Sequence, residues 1–163
     1  MLLLAFCTLL FVACDSSDPD GSGPDPTGNA GEGTLVLDGV TYDFDVIACD
    51  FSGEYDTTHQ TVSGRGVHGG EDFSLFVSRN EVSSGGQPIL VHTVSFYYDA
   101  DPTGTNVEAQ RMRMNGTWTS LHDEPDAPLI VIQGNTLTAS GVFAPTDDTD
   151  HTMSGSVTAT CTD

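Results

Sequence analysis

The sequence predicts an all-β domain: an antiparallel β-sandwich, with a closed β-barrel as the alternative, stapled by one disulfide. Three observations carry this. From Leu35 to Cys161, apolar residues alternate with polar ones over short runs. Turn residues interrupt those runs roughly every ten residues. No run sustains the 3.6-residue period of an amphipathic helix. Eight to ten strands fit into residues 34–163, a length that suits one domain.

Leu35-Val36-Leu37 runs into Asp38-Gly39 and then into the alternation Val40, Tyr42, Phe44, Val46, Ala48. Asp-Gly between two such runs predicts a hairpin with a type I′ turn. Strict alternation puts Cys49 on the face opposite Val46. A polar loop over 51–59 leads to a Gly-rich strand, Thr61 to Val67, and a turn at His68-Gly69-Gly70-Glu71. Phe73, Leu75 and Val77 then mark a strand over Asp72 to Ser78, and Ser83 to Pro88 breaks it. Ile89 to Tyr98 is apolar on both faces, as a central strand is. Val107 to Met114 has the length of a short helix, but its flanking Asn and Gly favour a strand. Trp118 lies in a brief segment before the Asp123 to Pro128 break. Leu129 to Ile132, Leu137 to Phe143 and Met153 to Cys161 complete the set, separated by a Gly134-Asn135 turn and an acidic loop from Pro145 to Asp150.

Charge narrows the function. Four Lys and Arg oppose 24 Asp and Glu, a formal net charge of −20, with no lysine at all. Nucleic acid is excluded as a partner, because phosphates need a basic face. Self-repulsion on this scale destabilises a compact state unless salt screens it. A lysine-free, Asp-rich composition resembles that of proteins from extreme halophiles, which implies a salt-adapted source; bound divalent cations are the rival account.

Residues 1–13 form an apolar run too short to span a bilayer and of the length of a signal-peptide core. Val12-Ala13-Cys14 resembles the end of a bacterial lipobox, with Phe11 where leucine is usual and no Lys or Arg ahead of the run. The resemblance implies removal of residues 1–13, acylation of Cys14 (palmitate or a similar chain), and residence in the cell envelope, held to a bacterial membrane through lipid. The Asp/Ser/Gly/Pro stretch after it, to residue 33, has no large apolar residue and reads as a disordered tether. Within it, Asp18-Pro19-Asp20-Gly21 resembles the front of an EF-hand loop, but Ser16 and Thr27 stand where ligands belong. Cys49 and Cys161 remain in an exported, oxidising setting and are expected to be bridged. The whole layout resembles small β-rich lipoproteins of Bacteroidota-type bacteria and, through Cys49, Cys161 and the closing Ser-Gly-Ser-Val-Thr-Ala-Thr-Cys, mycobacterial surface lipoprotein antigens. Neither resemblance supplies a catalytic residue.

No Gly-x-Ser-x-Gly, His-Glu-x-x-His, P-loop or dinucleotide fingerprint occurs. Asp147, Asp148, Asp150 and His151 are the preferred candidates for a cation such as calcium; His68 with Glu71, and His122 with Asp123, have the atoms but not the ligand spacing. Tyr97, Tyr98 and Trp118, with Tyr42, are candidates for a surface that stacks a sugar or grips a peptide. Asn115-Gly116-Thr117 is a glycosylation sequon by pattern. The expected function is that of a lipid-anchored, non-enzymatic envelope protein without a cofactor, structural or presenting a face to an envelope protein or glycan. The alternatives are a calcium- or carbohydrate-binding module and a hydrolase with scattered carboxylates.

Overall fold

Every stretch read as alternating becomes a strand, and the strands close into a barrel. The computed structural model describes residues 31–51, 59–98 and 106–162. The leader, Cys14 and the tether up to residue 30 lie outside these. The strands are β1 (Gly31–Leu37), β2 (Val40–Asp50), β3 (His59–His68), β4 (Glu71–Ser84), β5 (Gln87–Tyr98), β6 (Asn106–Met114), β7 (Thr117–Ser120), β8 (Ile130–Gln133), β9 (Thr136–Pro145) and β10 (Met153–Cys161). β1 begins at Gly31, three residues ahead of the boundary drawn at 34.

The closed barrel, and not the sandwich, is what forms. Strands β1 to β6 pair antiparallel in sequence order, β10 returns to β1, β9 pairs β10, and β6 meets β9 through Val107–Pro145 and Glu108–Ala144. That last contact closes eight strands into one wall. A sandwich needs two sheets with four edges; here nearest-neighbour pairing runs round without interruption, which removes the edges of the main wall. Beyond the β6–β9 contact the two strands splay, and β7 pairs with β6 while β8 pairs with β9 inside the fork.

The turns explain the handedness of the hairpins. Asp38 and Gly39 have φ of 46° and 83°, and Asn115 and Gly116 have 53° and 86°. Both central residues are left-handed in each, the type I′ signature that suits twisted strands. The first was legible as Asp-Gly; the second lay hidden inside the sequon.

The inward face is apolar and filled. Leu35, Phe44, Val46, Val62, Phe73, Leu75, Val77, Val94, Phe96, Leu137, Phe143 and Val157 are buried there. The outward face is mostly Thr, Ser, Asp and Glu, the reverse of the apolar-out pattern of a membrane-spanning barrel. A β-bulge at Ile47, between the pairs Val46–Gly64 and Ala48–Ser63, shifts the phase of β2 by one residue. Cys49 therefore pairs with inward-facing Val62 and packs on the core, on the same side as Val46 and not opposite it. There it bonds to Cys161, with Cα atoms 6.2 Å apart and 112 residues between them in sequence.

Candidate functional site

The largest hollow described lies on the outside of the wall. Gly33 on β1 and Gly64 on β3 face inward without side chains, and the Phe44 ring on β2 between them fills both spaces. A Cβ at Gly33 would lie 2.5 Å from Phe44 Cε2, and one at Gly64 would lie 2.8 Å from the same atom. On the outer face of these strands lies a groove of about 580 Å³. Register then decides what lines the groove. One rung runs Thr160, Glu32, Asp45, Arg65 across β10, β1, β2 and β3. The next runs Thr158, Thr34, Asp43, with Val67 beyond it on β3. Thr34 Oγ1 donates to Asp43 Oδ1 at 3.1 Å. Glu32 and Asp45 stand directly opposite, an arrangement that costs a sheet stability and so points to use.

The fork between β6 and β9 holds a second, partly buried polar cluster. Arg111 Nη2 pairs with Asp123 Oδ2 at 2.6 Å, and Nη1 donates to the carbonyl oxygens of Ala127 and Pro128. These bonds draw the 121–129 segment over the fork, where Gly141 leaves room for Leu129 and the guanidinium. His92, 1% exposed, accepts the Ile130 N–H on Nδ1 at 3.0 Å. Burial, helped by Arg79 and Arg111, pushes its imidazole down to about 4, so it stays neutral with its proton on Nε2. This cluster braces the fold.

No family model, curated protein or solved structure matches this chain. The site must therefore be read from its own geometry. The aromatic candidates do not form one surface. Tyr98 joins Tyr42, Phe73 and Phe96 in a cluster at the far end of the barrel from the fork, with the His68 ring tilted against Tyr42 at 4.4 Å. Burial, and a hydrogen bond with Tyr42 that favours the protonated form, raise the Tyr98 phenol well above its ordinary range. Tyr97 takes the other pleat phase and faces outward, opposite Ser74. Trp118 lies at the fork, its ring 4.8 Å from that of His92.

The cation candidates sit in the β9–β10 connection, where the His151 N–H donates to the Asp148 carbonyl oxygen. Among the described residues, no three His, Cys, Asp or Glu side chains gather as metal ligands would. Sequence reasoning missed Glu32, which it placed in the tether, and Arg65, which it passed over in a Gly-rich run. Their shared outward phase with Asp43, Asp45, Thr158 and Thr160 was the available signal.

Chemically, the groove offers acceptors in its three carboxylates, a five-donor fork in Arg65, and threonine hydroxyls that do both. That set matches a ligand rich in hydroxyl groups.

Proposed function

We propose that this is a lipid-anchored, non-enzymatic protein of the cell envelope whose barrel presents its outer groove to a glycan. One observation carries the binding half: the barrel interior is filled by core side chains, while the hollow on the outside is lined in two rungs by hydrogen-bonding groups. A ligand of this protein is bound on the wall and not inside it. The apolar leader, Ala13, Cys14 and the tether support the anchoring half, and the outward polar face keeps the barrel in water beside the membrane and not within it.

Two experiments test the two halves. Metabolic labelling with a fatty acid should mark the wild type and not Cys14→Ala; label retained in the variant ends the anchoring reading. A glycan array should give binders that are lost together in Asp45→Asn and Thr158→Val. Binders that survive both changes place recognition elsewhere.

A hydrolytic reading is favoured by one feature, the opposed Glu32 and Asp45 carboxylates in a cleft. Both are solvent-exposed, which suits hydrogen bonding to a ligand better than proton transfer to it. Release of reducing ends from an array-positive oligosaccharide, abolished in Glu32→Gln, would favour hydrolysis over binding.

A further inference from the structure

We propose that the outer edge of β7 is a docking strand for an extended, basic polypeptide segment. This site is separate from the glycan groove. The register gives the reason. A two-residue turn joins β6 to β7, so Met114 and Thr117 exchange both backbone hydrogen bonds, and alternation makes Met112 and Thr119 the next such pair. Trp118 and Ser120 then point their N–H and C=O groups away from β6. β7 stands last in the sheet order, and among the described residues no backbone bond reaches those groups.

The other edge in the same fork is treated differently. The same alternation turns the Ile130 N–H of β8 outward, and the buried His92 accepts it on Nδ1. One edge is capped from inside the barrel, while the other keeps its ladder open. Open edges are normally blunted by short length, Lys, Pro or an inward charge; β7 is short, four residues, but its Thr-Trp-Thr-Ser carries no Lys, Pro or charge.

A cleft of about 280 Å³ runs along this edge, between β7 and Asp123, Glu124 and Pro125. Residues of both pleat phases line it, so it lies beside the strand and not over one face. Its chemistry selects the occupant. Asp123 Oδ2 holds Arg111, but its Oδ1 is buried without a hydrogen-bond partner. Glu124 adds an exposed carboxylate, and the Trp118 ring, which Arg113 already approaches with its Cζ 5.9 Å from the centroid, lines the cleft beside it. A strand added here presents alternate side chains to these groups, and a Lys or Arg among them meets carboxylate and indole together. The chain's formal charge of −20 attracts such a segment and repels a second copy of itself from the same edge.

Trp118 is the single tryptophan, so its emission reports on the site directly. The full chain is titrated with the acetylated amide of Thr-Lys-Val-Lys-Thr, with the same peptide N-methylated on its backbone, with the Glu-for-Lys peptide, and with spermidine. We expect a saturable change with the Lys peptide alone, and affinity at least about tenfold weaker for the two control peptides. Ser120→Pro removes one outward N–H and leaves the β6 ladder untouched, and Glu124→Lys reverses an exposed charge; each should weaken the Lys peptide by about tenfold. Equal responses to the N-methylated peptide or to spermidine overturn the proposal, since carboxylates alone would then be holding a cation. So do an unchanged affinity in Glu124→Lys, no saturable response to the Lys peptide, or an emission change that tracks self-association.

Discussion

The ring of Phe44 is held between two glycines on neighbouring strands, and a double-mutant cycle tests whether it is what occupies their space. At Gly64 the backbone is one that any residue adopts, so alanine meets no conformational penalty there. Its Cβ would lie 2.8 Å from Phe44 Cε2 and closer still to Cδ2, against a carbon–carbon optimum of about 3.5–4.0 Å. The ring must withdraw by about 1 Å, and the way out is the gap at Gly33, which the same ring edge already fills. Overpacking costs about 1–3 kcal/mol, and a ring blocked on both sides should reach the upper end. Phe44→Ala removes the clashing ring atoms at about 3–5 kcal/mol. In that background Gly64→Ala should become neutral, or gain up to about 1 kcal/mol by restricting the unfolded chain. The predicted coupling is thus about 2–3 kcal/mol. Urea unfolding with the disulfide intact, at fixed molar NaCl and constant m, gives the four stabilities. Costs that add to within about 0.5 kcal/mol refute the reasoning, as does a Gly64→Ala variant as stable as wild type.

The other predictions use different parts of the molecule. Replacing Cys49 and Cys161 by Ser should cost about 5 kcal/mol, as the chain-entropy account gives for a loop of 112 residues; urea midpoints with and without reductant measure it, and the double variant should be indifferent to reductant. Arg111→Met leaves Asp123 and two carbonyl oxygens unpaired and should cost about 2–3 kcal/mol, read from the same midpoints. His92 has its folded pKa lowered to about 4 from 6.5, so the unfolded chain binds the extra proton between those values. Stability is therefore complete above about pH 6.5 and falls as pH drops toward 4, by about 3 kcal/mol relative to His92→Asn, whose amide oxygen still accepts the Ile130 N–H. Molar NaCl should raise the melting temperature, and millimolar calcium at matched ionic strength should add nothing, as expected for a solvated acidic surface whose described residues gather no set of ligands.

Much of the strand pattern was legible because each strand is amphipathic in its own right. Phe73, Leu75 and Val77 announce an inward face, and the pattern over Met153 to Cys161 gave β10 with its true limits. Closure was not legible. It depends on Val107 and Glu108 meeting Pro145 and Ala144, a contact of two pairs between segments that carry no mark of each other. The face of Cys49 was misjudged because Ile47 and Ala48 are both apolar, so the alternation gives no sign of the bulge that shifts it. The groove was hidden for a similar reason. Glu32, Asp45, Arg65 and Thr160 belong to four strands, and only register sets them in one row. Asn115-Gly116, by contrast, was a hairpin signal in plain sight that the sequon pattern obscured.

The position of β1 has a mechanical meaning. If the chain is anchored through Cys14 as proposed, any pull would enter the barrel at Gly31, at the head of a seven-residue strand paired along its whole length with β2 on one side and β10 on the other. A pull at Gly31 that is resisted by the body of the barrel would load both ladders in shear, many hydrogen bonds at once. The covalent link between Cys49 and Cys161 joins those same two neighbours just beyond the point of entry. Should β1 slip, its flanking strands stay tied to each other, and the domain yields at one strand instead of unravelling.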